Sequence, residues 1–441
     1  MDRAWPGVSL TGPAAERACW FDFPLRVQRL AIAEGLVVQS VPFISRVRVR
    51  NFKSIAECDV RLGPLTMLVG PNGSGKSNFL QALALLARAV STTPYEAVTG
   101  LGGLPEILRR APVPAESFSV DVEATVPWAG TGDPIVSTRY GFEIGAASSR
   151  ALRPFEVLRE TCEVRLGEGA WRFSAVRGAV REEGHEPETL SIEPDRLYLP
   201  VAASQRTYSP LAGMLASMQF YGLALDALRE PGSPAEGAGL DRRGEHLGDV
   251  LSVLASVRPD LKGRIDAYLG AIAPGIEGVD PYSVGRYVTV AFRARARPDA
   301  DVIEFGPEAV SDGTIRAAGI LAALFQLPVA DGRVALVGIE EPEIALHPAA
   351  AGVLFDALTE ASEQVQVLVT TQSPDLLDRD DLDVSAVRAV SMEDGVTRIG
   401  DVDRASQRIV AEKLYTLGEL MRGNQLSPAD PSPGQDDGQE A

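Results

Sequence analysis

Apolar positions in this chain change period several times, and each change marks an element. Residues 45–51 alternate strictly, which predicts a half-buried strand with Val47 and Val49 inward and Arg46, Arg48 and Arg50 outward. Residues 58–62 predict a second strand. Residues 65–69, apolar throughout and reached through Gly63-Pro64, predict a short buried third. From Asn78 to Leu86 the period becomes that of a helix. Stretches 117–126, 136–144, 156–166 and 171–176 read as strands between Gly or polar turns. Helices are predicted over 210–229 and 245–269, with a Pro- and Gly-rich loop at 230–237. Met214, Leu215, Met218, Phe220, Tyr221 and Leu225 read as core. Strands resume at Tyr287. A helix over 311–327, a buried strand over 334–339, a helix over 348–362, a strand over 365–370 and a short helix after Pro374 follow.

Strand–helix–strand alternation predicts parallel crossovers, and the three dense strands before the first helix predict an antiparallel region beside them. The fold class is therefore α/β. The two ends of the chain share one mixed sheet, interrupted by a β-rich and then a helical insertion. The expected divisions are a poorly ordered extension at 1–42 (a helix across 14–34 is the alternative), a first half-head at 43–110 and a β-rich part at 111–205. A helical part at 206–280, a second half-head at 281–426 and a disordered Pro-, Asp- and Gln-rich tail at 427–441 complete them.

Composition narrows the class. The 441 residues carry a formal net charge of −18, which disfavours long-range attraction to nucleic acid and leaves any such contact to a local basic patch. No apolar run reaches the ~20 residues of a membrane span, and no basic-then-apolar leader is read at the N-terminus, so no membrane partner is expected. Cys19, Cys58 and Cys162 are isolated, which fits a reducing cytoplasm and neither a disulfide framework nor a zinc site.

The candidate chemistry begins between the third strand and the first helix. Gly70-Pro71-Asn72-Gly73-Ser74-Gly75-Lys76-Ser77, followed by Asn78, is a complete phosphate-binding loop in the strand–loop–helix setting that such a loop needs. Its glycines let backbone N–H groups close around phosphate oxygens, and the positive end of the helix faces the anion. Lys76 supplies charge to the β- and γ-phosphates, and the Ser77 hydroxyl is a ligand for Mg²⁺. The expected ligands are ATP and Mg²⁺; no Asn-Lys-x-Asp guanine-reading run occurs. The apolar strand 334–339 ends in Glu340-Glu341. Side chains alternate along a strand, so these two point in different directions. Glu340 is assigned to the metal and Glu341 to activation of water.

Asn51-Phe52-Lys53-Ser54, the loop GPNGSGKSN, Glu340-Glu341-Pro342-Glu343 with Leu346-His347-Pro348, and Thr370-Thr371-Gln372-Ser373-Pro374 occur together. In this combination, and in Leu417-Gly418-Glu419-Leu420, the chain resembles the ABC-type ATPases of the RecF/SMC/OLD class, in their AAA-like branch, over 43–426. The resemblance implies a P-loop NTPase head of ABC type that closes on ATP as a head-to-head homodimer, with DNA or a partner protein receiving the change of shape. It implies a signature loop at 310–316, where Ser311 and the Gly313 backbone donate to the γ-phosphate of the other copy. From the residues alone, Ser-Asp-Gly-Thr is a helix N-cap. Arg316 is read as a γ-phosphate sensor or as the partner of an acid. The class carries His at the position of Gln372. An amide still hydrogen-bonds there but carries no proton, so slow turnover is expected. His347 is expected to be structural, and His185 and His246 suggest no metal site. No glutamine joining the core to the lever is recognised, no nuclease cluster is seen, and the stretch beyond Thr371 is expected to be too short for an appended nuclease domain. DNA repair or genome maintenance is the implied setting, with a nucleotide-gated scaffold that controls a partner effector as the alternative. The arginine sets 46/48/50 and 293/295/297 are the basic stripes.

Overall fold

The computed structural model describes residues 43–429 apart from 112–113, 128–134, 148–153, 168, 184–189, 233–238 and 296–300. The extension 1–42, the tail from 430, Cys19, His185 and Arg297 lie outside the described residues.

Two sheets meet at the first helix. β1 (Ile44–Phe52) and β2 (Ile55–Arg61) form an antiparallel pair, while β3 (Leu65–Val69) runs directly into α1 (Lys76–Ser91). β4 (Ser117–Pro127), β5 (Ile135–Ala146), β6 (Phe155–Leu166), β7 (Gly169–Val176), β8 (Ala179–Glu182) and β9 (Leu190–Ser191) continue the first pair. The result is an eight-stranded antiparallel sheet in the order β2-β1-β4-β5-β6-β7-β8-β9. The expected antiparallel region thus stands in a sheet of its own, beside the mixed sheet that the two ends of the chain share. β1 and β2 belong with the β-rich part, because Val47 and Val49 alternate into a core shared with Val120 and Val122.

The next stretch departs further from the periodicity. α2 (Ser209–Ser217) stops early, and β10 (Gln219–Tyr221) interrupts the predicted 210–229 helix. Its three residues find parallel partners at 337–339, and the Tyr221 hydroxyl accepts from the Gln326 amide at 2.6 Å. Edge pairing and that buried hydrogen bond outweigh helical spacing over so few residues. The predicted 245–269 helix divides into α3 (Leu247–Val257) and α4 (Pro259–Ile272), because Pro259 opens a helix but cannot continue one. β11 (Ile276–Val284), β12 (Tyr287–Ala294) and β13 (Ile303–Phe305) form a small antiparallel sheet before α5 (Asp312–Phe325).

β14 (Leu336–Glu340), β15 (Gln366–Thr371), β16 (Val387–Glu393) and β17 (Val396–Asp401) complete the second sheet, with α6 (Ala351–Ser362) crossing between β14 and β15. Its order is β10-β14-β15-β3-β16-β17, parallel up to β16 and antiparallel from β16 to β17. Leu68 faces the core that contains α1 and the eight-stranded sheet. Met67 and Val69, on the opposite face, join the core beneath α3, α4, α5 and α6. The Gln366 side chain pins the two sheets together: it accepts from Ile44 N at 2.9 Å and donates to Ile44 O at 2.8 Å and Gly63 O at 2.9 Å. The span Asp312–Ala330 is long and apolar enough to cross a membrane, but 78% of that window is buried inside the fold, as a core helix is.

Candidate nucleotide site

The phosphate loop is held in place by chain segments that contain no motif. Gly75 sits at φ 102°, and a Cβ there would lie 2.0 Å from Thr397 Oγ1, so only glycine fits. Thr397 Oγ1 donates to Ser74 O at 2.9 Å. Its single proton is thereby engaged, so Ser54 Oγ is the donor in the 2.6 Å contact between the two hydroxyls. Ser54 Oγ accepts in turn from Asn78 Nδ2 at 2.6 Å. Asn78, predicted at the phosphate, thus braces the β1–β2 turn against α1. Pro71, Asn72 and Gly73 are exposed, Ser77 is half-buried, and Gly70 N donates to Thr371 O at 3.3 Å, which closes the loop onto β15.

Lys76 is buried, and its Nζ donates to Gly70 O at 2.8 Å and Pro71 O at 2.9 Å. Burial pulls its pKa below the ordinary lysine value, against the opposing charges of Glu341 and then Glu343. The cation therefore reaches the acidic turn only through space, because its hydrogen bonds go to neutral carbonyls.

That turn lies at the same sheet edge because β14, β15 and β3 are consecutive neighbours. Glu340 stands in register with Thr370. Glu341 adopts φ 42°, a left-handed conformation that is costly for a residue with a side chain. β15 enforces it: Glu341 N donates to Thr370 O at 3.0 Å and Thr370 Oγ1 at 3.2 Å. Gln372 Nε2 lies 3.5 Å from Glu341 Oε2. Glu343 Oε1 accepts from Thr371 Oγ1 at 2.6 Å and Gln372 N at 3.1 Å, and Glu343 Oε2 is sealed without a hydrogen bond.

The two predicted acids act on different cations. Glu341 bears on Lys76, whereas Glu340 bears on Lys53, whose pKa burial has lowered. Lys53 Nζ donates to Gln81 Oε1 at 2.5 Å, and Gln81 lies one helical turn beyond Ser77 on the same face of α1.

The predicted signature segment caps α5 within its own chain. Ser311 Oγ accepts from Thr314 N at 3.2 Å, and Ser311 itself is exposed. A Cβ on Gly313 would lie 2.2 Å from Ala345 O, so that glycine is required by the loop after the acidic turn. Arg316 is half-buried, and its Nε is sealed without an acceptor. Burial lowers its pKa, with the charges of Asp312 and Glu341 opposing.

The described members of the basic stripes are compensated internally. Arg46 meets Asp59 at 2.5 Å, Arg48 meets Asp59 and Glu123 at 3.2 Å each, and Arg50 meets Glu57 at 2.9 Å. Arg293 pairs with Asp266 at 2.8 Å, and Arg295 with Glu277 at 2.6 Å. These are cross-strand and neighbouring-element ion pairs, not free cations. His347 Nδ1 accepts from Ala349 N at 3.2 Å, the structural role expected of it. Among the described residues no group of three or more His, Cys, Asp or Glu could hold a metal by itself.

The residues at this edge fit a nucleoside triphosphate with Mg²⁺. They offer a buried cation bonded only to carbonyls, the N-terminus of a 16-residue helix, and an orphaned buried hydroxyl at Ser74. Ser77 and Glu340 are the residues that would hold the metal, although no oxygen pair is pre-bonded between them. Lys53, Glu343, Thr371 and Thr397 join the site although their sequence context alone assigns them no chemistry. Glu343 and Lys53 lie inside recognisable motifs, but nothing local marks Thr397, which acts across 343 residues of chain on Ser54.

Residues 43–118 match a family model described as "AAA ATPase domain". Residues 240–378 match one described as "AAA domain, putative AbiEii toxin, Type IV TA system". An OLD nuclease of Thermus scotoductus is 26% identical over 352 residues, covering 75% of this chain and 59% of the relative. A DNA replication and repair protein RecF of Magnetococcus marinus is 42% identical over 62 residues, 13% of this chain and 16% of the relative. The chain thus spans less than two thirds of either relative's length. A crystal structure of an SMC head bound to the C-winged helix domain of ScpA aligns over 83% of this chain and 99% of its own, at 14% identity and TM-score 0.49. The phosphate loop and the acidic turn lie on one parallel sheet edge, both halves of that edge match AAA ATPase models, and these similarities support the resemblance to the RecF/SMC/OLD class of ABC-type ATPases.

Proposed function

We propose that this protein binds Mg·ATP at the β3–β14–β15 edge, hydrolyses it slowly, and pairs head to head with a second copy of itself in the ATP state. The observation that carries this reading is the placing of the phosphate loop and the acidic turn at neighbouring strand ends of one parallel sheet, with Lys76 bonded only to carbonyls. Lys76 and the α1 N-terminus bind the phosphates. Glu341 takes the proton of the attacking water, and the Gln372 amide orients that water. Mg²⁺, held by Ser77 and Glu340, would neutralise charge on the β- and γ-oxygens. Ser311, exposed at the start of α5, and the backbone of the buried Gly313 would complete the site of the second copy. The 206–280 stretch, packed on α5, would carry the change of shape outward as a lever.

DNA is the favoured receiver, supported by the names of the relatives, a nuclease and a DNA replication and repair protein. The compensated arginines Arg46, Arg48, Arg50, Arg293 and Arg295 give no support for contact through those faces. A second reading, a nucleotide-gated scaffold that controls a partner effector and hardly hydrolyses, is favoured by Gln372, which cannot carry a proton. A cytoplasmic setting is supported by the buried free thiols of Cys58 and Cys162. Steady-state phosphate release with and without DNA separates the readings. Release that Glu341→Gln removes supports the enzyme; equal, negligible release from both supports the scaffold.

A further inference from the structure

The acidic turn and the end of β15 are laced together by hydrogen bonds in both directions. One direction is backbone to strand: Glu341 N to Thr370. The other runs from β15 to a side chain. The Thr371 hydroxyl at 2.6 Å and the Gln372 N–H at 3.1 Å both donate to Glu343 Oε1. The Thr371 hydroxyl also accepts from Ser373 N at 3.0 Å, so one side chain fixes three consecutive residues, Thr371 to Ser373. Thr370 and Thr371 are fully buried, which removes water as a competing partner. The other Glu343 oxygen is sealed with no partner, an arrangement with no evident stabilising purpose. Burial raises the Glu343 carboxyl above the usual range, and the hydrogen bonds from Thr371 and Gln372 only partly oppose this.

We infer that Glu343 is a positioning residue for ATP hydrolysis: by holding Thr371 and the Gln372 backbone, it sets the Gln372 amide against Glu341. This rests on the nucleotide reading above. It assigns Glu343 no contact with substrate. It also explains why a strained Glu341 and a switch residue on a different strand stay within one hydrogen-bond length of each other. The carboxylate is needed for its acceptor oxygen and not for its charge.

The test uses the full chain. Glu343→Ala is expected to lower kcat for Mg·ATP by about tenfold or more while KM and the affinity for a fluorescent ATP analogue stay within about twofold. Glu343→Gln keeps a carbonyl acceptor for both donors and is expected to recover kcat to within about threefold of wild type. Thr371→Val, which keeps shape and loses the hydroxyl, gives a second route to the same kcat loss if the alanine variant does not fold. Hydrogen exchange at residues 370–373 reads the same latch without turnover, and faster exchange is expected in Glu343→Ala. Unchanged exchange, a wild-type kcat in Glu343→Ala, or a loss confined to KM overturns the inference. Wild-type phosphate release, measured alongside, separates this from failure of the hydrolytic reading, because the exchange readout does not depend on turnover.

Discussion

Lys76 and the arginines of β1 are cations of the same molecule in opposite situations. Arg46, Arg48 and Arg50 each have a carboxylate between 2.5 and 3.2 Å away on a neighbouring strand. Lys76 has only the carbonyls of its own loop, while the acids that act on it are held apart, Glu343 by Thr371 and Gln372 and Glu341 by the backbone of β15. A cation is available to a ligand when its natural partners are engaged elsewhere. Charge count on a strand face does not reveal this; the hydrogen-bond ledger of the neighbouring acids does.

The contrast can be broken most forcefully at Lys76. Lys76→Ala is expected to weaken ATP binding by about 100-fold or more, because it removes the buried charge facing the phosphates; equilibrium binding of a fluorescent ATP analogue measures this. Glu341→Gln should retain nucleotide and lose about 100-fold or more in turnover. It should also accumulate an ATP-dependent species of twice the protomer mass on size-exclusion with light scattering; a protomer mass at saturating ATP argues against head-to-head closure.

A buried acid outside the site gives an effect of intermediate size. Glu160 accepts from Leu199 N and the Tyr140 hydroxyl at 2.9 Å each, yet burial wins and lifts its carboxyl to about 7 from 4.5. A raised folded pKa means that its contribution is full below pH 4.5 and is lost as pH rises through 7. The shift corresponds to about 3 kcal/mol. Chemical denaturation of wild type against Glu160→Leu should show a stability difference that narrows from pH 5 to pH 8; a constant difference refutes the assignment. The smallest effect belongs to the β1 arginines. Each Arg→Ala change there should alter stability by less than about 1 kcal/mol. If DNA is bound, the triple change should leave the salt dependence of binding unaltered. A flattened salt slope would show that these arginines exchange their carboxylates for phosphate.

Legibility in the sequence follows contact range. The stretch from β3 into α1 is readable because strand, loop and helix are contiguous and each has its own period. β14 and β15 are readable as apolar runs, and their pairing with β3 follows from parallel crossovers. β10 is not readable: three residues cannot establish a period, and only the β14 edge makes them a strand. The membership of β1 and β2 in the eight-stranded sheet is hidden for a related reason, since alternation tells which face is buried but not against which sheet. At the site, Lys76, Glu340 and Glu341 are visible from motif and position. Thr397 is invisible because its contact with Ser54 spans the chain, and the latch role of Glu343 is invisible because it depends on the direction of a side chain within a turn. The split of 245–269 was available in the sequence, at Pro259.

Calorimetric titration of wild type and Lys76→Ala with Mg·ATP measures the founding relation most directly, a triphosphate held by Lys76 beside Glu341. The expected result is saturable binding of one nucleotide per chain in wild type and none in the variant at the same concentrations. Equal binding curves for the two proteins would contradict it.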